Sequence, residues 1–313
     1  MEYAAVFEGG GVRGIAHVGA VRRLWEAGWR PVCTAGSSAG AIVAALLVAG
    51  YSPEELEKLL LETDFAVFAE RRGVSRLGLP GRLLSLGSGL GMYDAERFER
   101  WLSGLLDQRG VRGFATLARA ASSPCPRPLR LTVSDVTDQR LLVLPDDLAS
   151  LGLDEGSFPV ARAVRMSMSI PLFFKPFPLV DGAGRQHLIV DGGLLSGYPL
   201  WLFESGQALP LLGFGFICTE GRCGGVQPKR VPRLVRYLSD LASSATDATD
   251  RTRTGLPGYP AVETVSISAV VAGDDGPRRV SPVEFALSRA DRLLLLQNGR
   301  AAAERWLAGR VSR

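Results

Sequence analysis

The 313 residues hold 36 basic and 32 acidic side chains, a formal charge of +4, and are 46% hydrophobic. That is enough apolar material for one large α/β domain or two ordinary ones, and no basic block is present of the kind that tracks nucleic acid. The longest apolar run, Ala39 to Tyr51, is shorter than the roughly 20 residues a membrane-spanning helix needs.

Taken in chain order, Glu2 to Phe7 reads as a strand, Gly14 to Ala27 as a helix, Pro31 to Gly36 as a second strand and Ser38 to Ala49 as a second helix. This βαβα rhythm predicts a mainly parallel sheet with helices on its faces. Ser52-Pro53-Glu54-Glu55 marks the next helix, with a capping serine, a proline at the first helical position and a glutamate placed to complete a capping box. Residues 70 to 92 mix glycine, leucine and arginine without a period; they read either as a surface loop or as a flap at a lipid-binding mouth. A helix resumes after Asp94. Arg130 to Ser134 and Gln139 to Leu144 read as paired strands, as do Phe174 to Val180 and Gln186 to Val190 around Asp181-Gly182. A strand over Leu211 to Cys218, a helix through RLVRYLSDLASSA, a strand over Val262 to Ser268 and a helical end from Pro282 follow. The last stretch reads as core packing, with membrane docking as the alternative. The N-terminus lacks a basic region followed by an apolar one, so no secretory signal is expected. Cys33, Cys125, Cys218 and Cys223 lack the companions of a metal site and are expected as free thiols in a reducing, cytoplasmic setting.

Two glycine-bearing turns carry the chemistry. FEGGGVRG contains Gly9-x-Gly11-x-x-Gly14 between a strand and a helix, a dinucleotide fingerprint in isolation. The acidic residue that would hold a ribose at the end of the second strand is missing, because that strand runs into Gly36-Ser37-Ser38-Ala39-Gly40. Adjacent parallel strands would bring both turns to one sheet edge, with backbone N–H groups around Gly10 and Gly11 facing Ser38 as donors to an oxyanion. Ser38, central in G-x-S-x-G at a strand-to-helix turn, reads as a nucleophile; the same five residues also describe a plain tight turn followed by a helix cap, and Ser37 reads as a packing or capping residue.

A serine nucleophile needs a base, and the chain has two histidines. His187 and Asp191 are four residues apart in one strand, about 13 Å at about 3.3 Å per residue, too far to form an imidazole–carboxylate pair. His17 sits in the first turn of a helix, whose positive end disfavours its charged form, and reads as a packed residue. Asp191, at the end of the apolar strand LIVDGG with two glycines behind it, is the favoured base, with a simple turn residue as the alternative. Asp181, Asp135 and Asp138 sit in turn-like settings.

GGGVRG, GSSAG and DGG in this order, with SMSIPLFF at Ser167 to Phe174, resemble the patatin-like phospholipases over about residues 4 to 200. The resemblance implies a three-layer α/β/α sandwich, here expected as a single domain over 1–313 with residues 210–313 packed on the core. It implies an oxyanion loop at Gly9, Gly10, Gly11 and Arg13, Ser38 as nucleophile and Asp191 as base. It implies hydrolysis of fatty acyl esters of phospholipids, lysophospholipids or neutral glycerides at a membrane or micelle surface, phospholipids or lysophospholipids being expected here, with no cofactor and no metal, calcium included. Ser196-Gly197 departs from the asparagine common in relatives. Two other readings stay open: acyl transfer to an alcohol or thiol, and a non-catalytic lipid-binding module.

Overall fold

The computed structural model describes residues 1–69, 91–120, 125–203, 209–217, 262–273 and 276–311. The strands are β1 (Glu2–Phe7), β2 (Arg30–Gly36), β3 (Gly91–Tyr93), β4 (Leu129–Asp135), β5 (Arg140–Leu144), β6 (Leu172–Phe174), β7 (Phe177–Val180), β8 (Gln186–Asp191), β9 (Leu211–Ile217), β10 (Glu263–Ser268), β11 (Val270–Val271) and β12 (Arg278–Arg279). The α-helices are α1 (Ile15–Glu26), α2 (Ala39–Val48), α3 (Pro53–Glu62), α4 (Glu96–Gln108), α5 (Phe114–Ala120), α6 (Val160–Ser167) and α7 (Arg289–Val311).

The main sheet runs β10-β9-β1-β2-β4-β8-β7, with β5 also paired to β4. From β10 to β4 the neighbours are parallel, whereas β5, β8 and β7 join antiparallel. β1 is therefore central, and its side chains divide between the two faces as the strand period of two requires. Tyr3, Ala5 and Phe7 enter a large core with α1, α2, α3, α4, α6 and α7. Ala4 and Val6 enter a smaller one with Cys33, Ala35 and the helical turn Leu200–Leu202. The architecture is a three-layer α/β/α sandwich around a mainly parallel sheet.

Helix α1 packs most closely on α7, and two glycines permit it. A Cβ on Gly19 would collide with the Leu296 carbonyl, and a Cβ on Gly299 with the Ala16 carbonyl, so the two backbones touch reciprocally. Arg300 clamps the pair by a fork to both oxygens of Glu26, each at 2.9 Å.

The predicted elements on described residues recur with small boundary shifts, including the capping box: Glu55 N–H donates to the Ser52 hydroxyl at 3.2 Å and Ser52 N–H to the Glu55 carboxylate at 2.8 Å. Three findings differ. The last helix begins at Arg289 rather than Pro282, because the Ser288 hydroxyl caps it by accepting Asp291 N–H at 3.0 Å. Phe174 belongs to β6, paired with β3, not to the β7–β8 hairpin. Cys33 and Cys125 are not free thiols but a disulfide, with Cα atoms 5.9 Å apart, which removes the cysteine argument for a reducing compartment. No described helix is long and apolar enough to cross a membrane. The stretch 70–92, expected as a surface loop or a flap, falls outside the described residues except for its last two, as do the helix expected through RLVRYLSDLASSA, Cys218 and Cys223.

Candidate active site

Because β1 and β2 are parallel and in register through Phe7 and Gly36, the turns that follow them open at the same sheet edge. Ser38 occupies the second turn as the N-cap of α2, with φ 53° and ψ −123°. A side chain held there costs on the order of 1–3 kcal/mol and persists only where the surroundings impose it. Part of the imposition is steric. A Cβ on Gly40 would strike the Phe7 carbonyl, and one on Gly36 would strike Gly40, so only glycines let β1, β2 and α2 close on the serine. Ser38 is 5% exposed, and its backbone N–H donates to the Ser167 hydroxyl at 3.0 Å.

The glycine loop lies beside it: a Cβ built on Gly9 would be 3.4 Å from the Ser38 Cβ. The loop's amides divide in role. Gly9 N–H donates to the Gly197 carbonyl at 2.8 Å and Val12 N–H to the Pro282 carbonyl at 3.0 Å. The amides of Gly10 and Gly11 donate to no described residue, which leaves two N–H groups for an incoming anion. Arg13 spans the loop from behind, its Nε donating to the Gly10 carbonyl at 3.1 Å and its guanidinium lying 5.1 Å from the Phe216 ring centre. Burial lowers its pKa to about 10, with Glu8 acting upward and Arg279 downward, so it stays charged at neutral pH.

Asp191 ends β8, antiparallel to β4 and opposite Val133. Its N–H donates to the Ser169 carbonyl at 2.9 Å, and its Oδ1 accepts Gly193 N–H at 2.7 Å. Oδ2 is buried without a hydrogen-bond partner among the described residues. Burial lifts the carboxyl to about 7, against the Ser38 hydroxyl and the Gly193 amide, which both hold it down. The Ser38 hydroxyl thus acts on the charge of Asp191, although Oδ2 has no hydrogen-bond partner among the described residues.

Both histidines are occupied elsewhere. His17 is fully buried between Phe7 and Phe216, and its Nε2 lies 2.9 Å from the Glu8 carbonyl. Its pKa falls to about 4, chiefly through burial, partly offset by that carbonyl and lowered further by Arg13, so the ring is neutral at pH 7. His187 lies between Asp135 (Nδ1 to Oδ2, 2.9 Å) and Asp181 (Nε2 to Oδ2, 3.3 Å). Asp135, Asp138 and His187 offer ligand atoms within 4.8 Å of one another. Arg185 already forks onto Asp138 at 3.2 and 2.5 Å, and Arg140 approaches both aspartates, so a metal cation there would face two guanidinium groups. The described surface hollow between Leu153–Arg162 and Phe177–Val180 includes neither Ser38 nor Asp191.

Several participants escaped the sequence reading: Ser167, the Ser169 and Gly197 carbonyls, and Pro282 against the glycine loop. SMSIP was the only signal for the first two, and it carries no spacing that announces Ser38 as the partner of Ser167, more than a hundred residues away, or Asp191 as the partner of the Ser169 carbonyl.

The family model described as patatin-like phospholipase matches residues 5–203. The uncharacterized protein YqhO of Bacillus subtilis (strain 168) is 43% identical over 211 residues, 66% of this chain and 69% of that protein. The uncharacterized protein R571 of Acanthamoeba polyphaga mimivirus is 27% identical over 199 residues, 63% of this chain and 59% of that one. Among solved structures, VipD from Legionella pneumophila superposes with a TM-score of 0.55 at 15% identity, covering 99% of this chain and 67% of that chain, a likeness of fold.

Proposed function

The chain belongs to the patatin-like phospholipase family, and we propose that it hydrolyses fatty acyl esters of phospholipids or lysophospholipids through a Ser38–Asp191 dyad. The observation that supports this most is the Asp191 carboxyl: buried, displaced to about 7, held by one oxygen and free at the other beside Ser38. A group that titrates near neutrality keeps enough affinity for a proton to act as a base while still being ionised.

In this reading the Asp191 carboxylate takes the Ser38 proton as Oγ attacks the ester carbonyl. The carbonyl oxygen, now negative, accepts the Gly10 and Gly11 amides; removing one such donor is worth about 3 kcal/mol of transition-state stabilisation. Collapse expels the alcohol, which takes the proton back from Asp191 and leaves an acyl-serine. Water then gives a proton to Asp191 as it attacks the acyl carbon, and collapse releases the fatty acid while Ser38 Oγ takes that proton back from Asp191. Gly9 and Arg13 shape the loop from outside, because the Gly9 amide is already spent on Gly197. We treat residues 1–313 as one catalytic domain, since β9 and β10 complete the sheet beside β1.

Hydrolysis of a mixed-chain phospholipid and a short-chain ester by Ser38→Ala, Asp191→Asn and His17→Gln tests the proposal. Loss in the first two with survival in the third is expected. Survival of Asp191→Asn with loss in His17→Gln would instead make a histidine the base.

A further inference from the structure

We infer that Ser167 to Ser169 form a bracket that fixes the nucleophile against its base, with Ser167 a positioning residue whose hydroxyl holds the Ser38 turn. The inference rests on the proposed dyad and deepens it. At the C-terminal end of α6 the buried Ser167 hydroxyl accepts Ser38 N–H at 3.0 Å and donates to the Thr132 carbonyl of β4 at 2.8 Å. Two residues later the Ser169 carbonyl accepts Asp191 N–H at 2.9 Å. Three consecutive residues thus hold the backbone of both dyad members.

Thr132 extends the frame. Its Oγ1 donates to the Ser196 carbonyl at 3.2 Å, in the loop that follows Asp191, and the next residue, Gly197, accepts the Gly9 amide at 2.8 Å. Nucleophile, base and glycine loop are therefore joined through one chain of polar contacts, and Ser167 is the link at the nucleophile.

The chemistry of the position explains the residue type. With φ at 53°, the Ser38 N–H lies ahead of the ladder of α2 and needs an acceptor from another element. A hydroxyl is the smallest side chain that can accept from one backbone group while donating to another. Alanine at 167 would leave the Ser38 N–H and the Thr132 carbonyl each one bond poorer in a buried site. It would also release the turn toward the extended geometry usual for an N-cap, carrying Oγ away from Asp191. Displacements of about 1 Å can cost on the order of 100-fold in rate.

Ser167→Ala and Ser167→Thr should be compared with the parent for kcat and KM on a short-chain ester, and for the rate of covalent labelling by a fluorophosphonate, which reports Ser38 reactivity without ester binding. In Ser167→Ala, kcat and labelling are expected to fall about 10- to 100-fold with KM within about 2-fold; Ser167→Thr, which keeps the hydroxyl, should recover most of the loss. Equal rates in parent and Ser167→Ala overturn the bracket. So does an equal loss in both variants accompanied by an equal fall in melting temperature, which would reduce Ser167 to packing. If Ser167→Ala does not fold, the threonine variant decides: near-parent kcat and labelling support the bracket, and their loss in a folded protein overturns it. If the parent neither turns over ester nor takes the label, the dyad fails separately. Amide exchange at Ser38 then judges the bracket: at least about 10-fold faster exchange in Ser167→Ala supports the contact, and unchanged exchange overturns it.

Discussion

Asp191→Asn is expected to abolish turnover and, above neutral pH, to make the protein more stable. Burial lifts the carboxyl from 3.8 to about 7. At about 1.4 kcal/mol for each pH unit of that displacement, keeping it ionised in place costs up to about 4 kcal/mol. The amide removes that cost. Its oxygen still accepts Gly193 N–H, but its NH2 replaces an oxygen that has no partner, and an unsatisfied buried donor costs about 1–3 kcal/mol. A net gain of about 1–3 kcal/mol at pH 8 remains. The sign changes with pH. Below about pH 4 the carboxyl is neutral in both folded and unfolded chains and the substitution brings only its penalty. Between about 4 and 7 the unfolded chain has released a proton that the folded chain retains, so the parent loses stability as pH rises. Above 7 both are ionised and the difference is constant. Urea unfolding of parent and variant at pH 4.5, 6 and 8 measures this. Coincident midpoints at all three, or a variant less stable at pH 8, would show that Asp191 is not the buried, displaced carboxyl described above.

The same displacement predicts that kcat/KM of the parent rises with pH and reaches half its plateau near pH 7, because the base must be ionised; a profile flat from pH 5 to 9 would count against Asp191. Gly299→Val should force α1 and α7 apart and cost about 3 kcal/mol, read by thermal unfolding, while the folded fraction keeps its turnover. Cys33→Ser should lose the cross-link over a sequence separation of 92 and about 2–4 kcal/mol of stability; thiol titration of the denatured, unreduced parent should find neither Cys33 nor Cys125 reactive.

What the sequence disclosed was local. Ser52 and Glu55 sit three residues apart and satisfy one another, so their capping box could be read without the fold. β1, α1, β2 and α2 follow one another with short turns, and their periodicities needed no distant partner. The contacts that escaped are long-range. Cys33 meets Cys125 because β2 and β4 are neighbours, a pairing that spacing alone does not encode. His187 does not pair with Asp191; its partners Asp135 and Asp181 have turn-like sequence settings, and the β4–β8 pairing brings the first to it while the β7–β8 hairpin brings the second. Pro282 to Ser288 carry helical composition, yet Pro282 lies against the glycine loop and Phe285 stacks on Phe173, 5.0 Å between ring centres, and those contacts prevail over propensity. At the candidate site, the side chains Ser38 and Asp191 could be named from motifs, whereas backbone groups such as the Ser169 and Gly197 carbonyls left no residue-type signature.

The reciprocal notch of Gly19 and Gly299 also sets a timetable. On a ribosome, α1 emerges well before the helix that covers it, which starts only at Arg289. At roughly 5–20 residues per second, tens of seconds separate the two. Throughout that interval Ala16, Gly19 and Ala20, which meet the later helix at Leu296 and Gly299 in the finished protein, lack their final cover. Until α7 is made, that strip of α1 stays an open apolar surface. A chain terminated before Arg289 would keep that surface bare permanently, even with every residue of the site intact.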